Sequence, residues 1–332
     1  MSGMIDALTT SSGELPEEER QQVDAAEAYR SFLGRLSHQS VVKHYDAYAD
    51  IPWDDPAYAV DPEDPRFALP EDDPLGATAW YRNQPAPMRA RIGLHLIANF
   101  ARVGWQFESV LKRGLLEFAL RLPEDAPEFR YCYHEVIEEA QHSLFFHEFV
   151  RRSGLAVRPP RILRLGERQV IGFARRFPEL FFFFVLAGED PIDYAQRRML
   201  QSGRALHPLV ERISRIHVTE EARHMAFARH FLRRTVPHVH GMKRVALRLR
   251  TALVMKVAAL LMTRPSAHIV RAYGIPPAVL QEAYGRGSRA EEHVVRALFK
   301  PRELCWELGV LNARWAWLWK RLRIYAPQGA PA

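Results

Sequence analysis

Along most of this chain, apolar residues recur at steps of three and four. From Pro87 onward, Ile92, Leu96, Phe100, Val103, Phe107, Val110 and Leu111 fall on one face of a helix that Pro123 closes. A second helix is expected from about Pro127 to Arg152, stopping before Gly154, where a glycine can take the left-handed turn that ends helices. A third covers roughly Pro178 to Gln201, with Pro191 forcing a kink or bulge inside it. A fourth runs from about Pro208 to Arg234, and three more amphipathic helices are expected near 241–263, 276–299 and 301–323. Strand-like alternation is almost absent, so the fold class is all-α.

The pattern is different before Pro87. Residues 1–37 read as a frayed or weakly helical start. Between 50 and 85 stand Pro52, Pro56, Pro62, Pro65, Pro70, Pro74 and Pro85 among many Asp. Proline removes backbone donors and keeps its predecessor out of the helical region, so an irregular arm is expected there. Trp53, Tyr58, Phe67 and Trp80 are its natural anchors. The expected organisation is an N-terminal segment and arm over 1–85 packed on a helical domain over 86–325. Within that domain, 86–235 forms the metal-binding core and 240–325 the accessory helices.

Composition narrows the class. A hydrophobic fraction of 48% over 332 residues supplies a sizeable core and excludes global disorder. Cys132 and Cys305 make neither a disulfide framework nor a zinc cluster, which fits a reducing cytoplasm. The N-terminus lacks the basic and apolar regions of a signal peptide. The most apolar run, Phe181 to Gly188, is far shorter than the roughly 20 residues a membrane span needs, so no membrane span is expected. Residues 1–80 carry 17 Asp plus Glu against 5 Lys plus Arg, a net of −12; with +7 overall, the remaining 252 residues carry +19. That surplus could serve nucleic acid or anionic lipid. Without an interleaved aromatic pattern or nucleic-acid motif, it reads instead as solvated helix faces that partly dock the acidic arm.

The chemistry lies in an internal echo. Glu138-Glu139-Ala140-Gln141-His142 recurs as Glu220-Glu221-Ala222-Arg223-His224, 82 residues later. Glu and His three residues apart share a helix face, so Glu139 with His142, and Glu221 with His224, can each reach one metal ion. A single Glu-x-x-His is more often a solvated face. Here the other two helices each add a mid-helix acid among apolar residues, Glu108 and Glu189. The order Glu, Glu-x-x-His, Glu, Glu-x-x-His is that of ferritin-like four-helix bundles holding two irons. Carboxylates suit this work because they are hard, anionic and able to bridge cations about 3.5–4 Å apart.

Three details complete the reading. The i, i+3 spacing selects Glu139 and Glu221 over Glu138 and Glu220, which become supporting or surface groups. His217 lies four residues before Glu221 and seven before His224 on the same face, a third imidazole for the pair or else a buried histidine bonded to a carbonyl. His134-Glu135 and His147-Glu148 lack the second His of a zinc protease helix, and there is no Gly-rich phosphate loop.

Glu108, Glu139-x-x-His142, Glu189 and His217-x-x-x-Glu221-x-x-His224 together resemble the AurF-type di-iron N-oxygenases, the family of the p-aminobenzoate N-oxygenase and the CmlI-type arylamine oxygenase. The extra His before the last Glu-x-x-His separates that family from ferritins, methane monooxygenase-like hydroxylases and acyl-carrier desaturases. The resemblance implies a homodimer holding two iron ions per chain, with O2 as co-substrate and a peroxo-bridged state. It also implies an external electron donor and oxidation of a primary amine, an arylamine by preference, to hydroxylamine and often to nitro. By that analogy Glu139 and Glu221 bridge the metals. Glu108 and His142 complete one, and Glu189, His217 and His224 the other. Substrate contacts do not carry over; Arg102 and the run Phe181–Phe184 are candidates, each with surface or packing roles as the alternative. The rival activities are C–H hydroxylation or desaturation by the same metal pair, and iron or peroxide handling in the ferritin manner. Manganese suits the same donors.

Overall fold

A computed structural model describes residues 17–158 and 161–329. Among the described residues there are thirteen α-helices, three short 3-10 turns and no strand. Eight helices build or cover the bundle: α1 (Glu17–Val42), α2 (Ala79–Arg82), α3 (Ala86–Ala119), α4 (Glu128–Ser153), α5 (Arg161–Arg176), α6 (Pro178–Leu200), α7 (Pro208–Thr235) and α8 (Gly241–Thr263). The fold is an all-α, ferritin-like bundle. Its four central helices, α3, α4, α6 and α7, stand within a residue or two of the positions that the apolar period predicts. No helix among the described residues is long and apolar enough to cross a membrane.

Short connections over 120–127 and 201–207 make α3 with α4, and α6 with α7, neighbouring pairs. Gly154, at φ 64°, ends α4 as its sequence position predicts. Pro178 and Pro208 open α6 and α7, where a missing N–H costs nothing. α6 is continuous through Pro191, which cannot donate to the Ala187 carbonyl.

The two pairs meet through glycines. A Cβ on Gly188 would stand 2.1 Å from the Phe107 ring, and one on Gly114 would stand 2.2 Å from the Phe181 ring. Each glycine lets a ring from the facing helix lie on its backbone, so α3 and α6 approach closely right beside Glu108 and Glu189. Phe181, Phe182, Phe183 and Phe184 are all buried; Phe182 meets Phe118, Phe227 and Phe231. The aromatic run is therefore packing between helices.

Three expectations need correction. The first concerns α5, which packs on α3 and α6 and was not expected from the sequence. The second is the N-terminal start. Residues 1–16 lie outside the described residues, but α1 is a full helix reaching Val42, with Tyr29, Leu33 and Leu36 buried against the bundle. The third is the accessory region. There, 276–299 divides into α10 (Pro277–Tyr284) and α11 (Arg289–Ala297), preceded by α9 (Ala267–Ala272), and 301–323 divides into α12 (Phe299–Glu307) and α13 (Ala316–Leu322). The breaks fall at Gly287 (φ 72°) and Gly309 (φ 62°), left-handed positions that a helix cannot contain.

The arm is irregular, as expected. Trp53 and Phe67 are buried in it with Tyr58 half-buried against the same core, while Trp80 is half-buried against a second one around Leu75 and Tyr81. Its acids dock on arginines: Asp54 on Arg152 at 2.8 Å, and Asp72 on Arg198. Arg212 and Arg204 donate to the carbonyls of Asp50 and Ala68. These partners belong to the central helices and the α6–α7 connection, and after residue 240 Arg289 also donates to the Glu71 carbonyl at 3.0 Å.

Candidate metal centre

Glu108 on α3, Glu139 and His142 on α4, Glu189 on α6, and His217, Glu221 and His224 on α7 are each at most 1% exposed. They converge in one buried cluster. Sets of ligand atoms close enough to share a cation join Glu108, His142 and His217; Glu139, His142 and Glu221; and Glu189, His217 and Glu221. A fourth set joins Glu139 and His224 with Glu135. Glu139 and Glu221 face both Glu-x-x-His histidines. His142 Nδ1 is 3.5 Å from Glu139 and 3.3 Å from Glu221, and His224 Nδ1 is 3.1 and 3.3 Å from the same two residues. Both carboxylates therefore lie between the two Glu-x-x-His histidines.

His217 faces both sides of the cluster. Its Nε2 lies 3.5 Å from Glu108 and 3.7 Å from Glu221, and its ring centroid is 4.7 Å from that of His142. It therefore faces the Glu108–His142 side as well as Glu189, and no such set among the described residues joins it to His224.

The echo turns out to be reciprocal. His142 Nε2 pairs with Glu220 of α7 at 2.8 Å, and His224 Nε2 pairs with Glu138 of α4 at 2.7 Å. A carboxylate opposite Nε2 places the proton there and leaves the Nδ1 lone pair facing the cluster, the tautomer a metal needs. Neither Glu138 nor Glu220 is a surface group. Arg223 donates to Glu138 at 2.7 Å and lies 3.6 Å from Glu220. Burial opposes ionisation of Glu138, but the His224 hydrogen bond and charge, together with Arg223, outweigh it and bring that carboxyl to about 2. On the other side, Ser143 donates to Glu108 Oε2 at 3.1 Å and receives a hydrogen bond from Lys112, which also donates to the Glu139 carbonyl at 2.9 Å. Sequence reading set Glu135 aside and did not reach Ser143 or Lys112.

The donor set fits a pair of hard cations. Both oxygens of Glu139 and Glu189, Oε1 of Glu108, Oε2 of Glu221, Nδ1 of His142 and both nitrogens of His217 are buried without a hydrogen-bond partner. Orphaned polar groups at this density are costly, by about 1–3 kcal/mol each and more if charged. Burial, reinforced by the charges of Glu221 and Glu139, raises the Glu189 carboxyl well above its ordinary range. His142 and His224 are raised despite burial, because acids surround them. Two divalent cations would balance these four carboxylates in charge and relieve the repulsion that adds to burial in raising Glu108 and Glu189.

A cavity of about 310 Å³ lies near the cluster, although none of the cluster's Glu or His residues lines it. Phe146 and Ser214 are in its wall, and the Phe146 ring centroid is 5.3 Å from that of His217. Asn99 and Gln196 add polar groups to a mainly apolar lining, and Gln196 Oε1 has no partner within the protein. Leu69, Phe100 and Met199 are shared with a larger outer cleft of about 1010 Å³. Arg102 stacks over Trp105 at 4.1 Å and lines neither space.

Comparison with known proteins agrees with the geometry. Residues 26–309 match the family described as P-aminobenzoate N-oxygenase AurF. An uncharacterised protein of Mycobacterium bovis and its counterparts in two strains of Mycobacterium tuberculosis are 37% identical over 308 residues, covering 92% of this chain and 91% of each relative. No solved structure matches the chain. The reach of the family match across the central helices identifies the chain as a member of the AurF family of di-iron oxygenases.

Proposed function

We propose that this protein holds two irons in the buried Glu/His cluster and uses O2 to oxidise a primary amine, an arylamine by preference, to the hydroxylamine and onward toward nitro. The observation that carries the reading is the seven-residue donor set with its third imidazole, His217, with a mainly apolar cavity close by. What bound irons would supply is O2 activation and oxidising equivalents. In the first oxidation one oxygen atom goes to nitrogen and the other leaves as water, with two electrons from an external donor. Glu139 and Glu221 would bridge the metals, and Glu138 and Glu220 would hold the histidines in register.

The cavity supports a small, flat substrate. Its volume is at the low end of small-molecule sites, with apolar walls to pack a ring and exclude water. Gln196 offers an unpaired acceptor suited to an N–H, which favours an amine over an acyl chain. A homodimer working in the cytoplasm completes the proposal.

The test loads metal-free protein with ferrous iron without air, quantifies it, and then adds O2, a reductant and either arylamines or C–H substrates. Two irons per chain with hydroxylamine or nitro products support the reading. Oxidation of C–H substrates alone would move the activity to hydroxylation or desaturation. Many irons per chain with no organic product would move it to iron handling.

A further inference from the structure

The 82-residue register that relates α4 to α7 continues one turn beyond the Glu-x-x-His pairs. Counting 82 from Glu135 gives His217, just as Glu138, Glu139 and His142 give Glu220, Glu221 and His224. Glu135 is fully buried, and neither of its oxygens has a hydrogen-bond partner. A carboxylate oxygen of Glu135 lies within 4.8 Å of ligand atoms of both Glu139 and His224, as His217 lies within that distance of Glu108 and His142. In each set a residue of that register, Glu135 on α4 or His217 on α7, joins the Glu-x-x-His histidine of the opposite helix.

We propose that Glu135 is an eighth metal ligand, the carboxylate counterpart of His217, serving the cation position at His224. The proposal rests on the metal centre described above and not on the identity of the substrate. An uncompensated carboxyl here would be surrounded by further acids, Glu138, Glu139 and Glu221, with no donor to satisfy it. Burial, followed by those charges, raises it well above the ordinary range against the pull of His224. A cation held by Glu135 and His224 Nδ1 would remove both penalties at once. The two metal positions then differ in kind, with an added neutral imidazole at one and an added anion at the other. Five carboxylates against two trivalent ions leave an excess of one positive charge, so Glu135 favours the oxidised pair.

The experiment titrates metal-free full-length protein anaerobically with isotopically enriched ferrous iron and records Mössbauer spectra and the reduction potential. Wild type is expected to take two irons with two distinct signals. Glu135→Gln is expected to weaken one of the two irons by roughly tenfold or more, alter only one signal and raise the potential. Glu135→His, which copies His217, is expected to recover the affinity. A Glu135→Gln protein with wild-type affinity, spectrum and potential overturns the proposal while leaving the metal centre intact. Failure of wild type to bind two irons overturns both. Should Glu135→Gln not fold, a crystal structure of iron-loaded wild type decides. A Glu135 oxygen at about 2.0–2.2 Å from metal, the range of divalent carboxylate sites, supports the assignment, and an oxygen well outside that range overturns it.

Discussion

The α3–α4 half of the centre and the α6–α7 half present the same ligand frame, one glutamate followed by Glu-Glu-x-x-His, but they hold it differently. Glu108 is tied by Ser143, which Lys112 supports, whereas both oxygens of Glu189 have no partner in the protein. Within the repeated pentapeptide, Gln141 binds Asp46 and the Ala47 amide in the segment after α1, while Arg223 turns inward to brace Glu138 and Glu220. Two turns on from the duplicated motif, Glu148 grips Arg151 and Arg152; its counterpart 82 residues later, His230, stacks on Phe32 of α1. Glu108 is thus partly held by the protein itself, whereas nothing in the protein holds the Glu189 carboxylate.

The largest break in this comparison comes from the shared carboxylates. Glu221 stands 3.3–3.7 Å from three imidazoles and Glu139 stands 3.1–3.5 Å from two. Glu221→Ala should therefore bind less than one iron per chain and lose more than Glu139→Ala does; iron quantitation after desalting checks the order, and the reverse order would show that α4 anchors the bridge.

Next in size is the seam between halves. Gly188→Ala forces the Phe107 ring away and should cost about 1–3 kcal/mol in metal-free protein. Denaturant midpoints measure it, and iron affinity should fall as well, because Glu108 and Glu189 flank the seam. An unchanged midpoint would mean the helices can part without penalty.

The crossed carboxylates give a subtler contrast. Glu138→Gln and Glu220→Gln should each weaken iron binding by roughly 10–100-fold. Glu138→Gln should also lower stability further, since it takes from Arg223 its closer anion. Equal melting temperatures for the two variants would remove Arg223 from the account.

The smallest effect tests the grip on the arm. Arg151 first, with Arg152 behind it and burial opposing, holds the Glu148 carboxyl at about 2. A carboxyl depressed in the folded state contributes stability above its ordinary value near 4.5 and loses that contribution as pH falls from there toward 2. Glu148→Gln should cost about 1 kcal/mol at neutral pH, and the difference from wild type should vanish in acid. A difference that persists at low pH would assign the loss to packing.

Much of this was legible in the sequence, for physical reasons. The apolar period of α3, α4, α6 and α7 is long and regular, and acids in the middle of such faces are rare without a cation. α5 escaped because Arg and Gly crowd its sequence behind Pro159-Pro160, although the gap from Arg152 to Pro178 exceeds the usual helix–helix connection. The accessory helices were over-extended because a 3.6-residue period does not register a single left-handed glycine such as Gly287. Glu135 was dismissed as half of a protease motif, yet the register that reveals it was already present in the echo. The crossed pairing of Glu138 and Glu220 lay beyond reach, since spacing along one helix carries no information about which residue of another it meets.

That crossing has a consequence for assembly. Neither α4 nor α7 alone can fix the tautomer and angle of its own histidine, because each borrows the orienting carboxylate from the other. An isolated helix, or a chain in which the two have not yet docked, offers a metal ion only floppy and competing donors. The centre thus behaves as a coincidence detector. Such a centre would become a strong chelator only once both segments are correctly seated, and a metal ion captured there would report on a fold already completed.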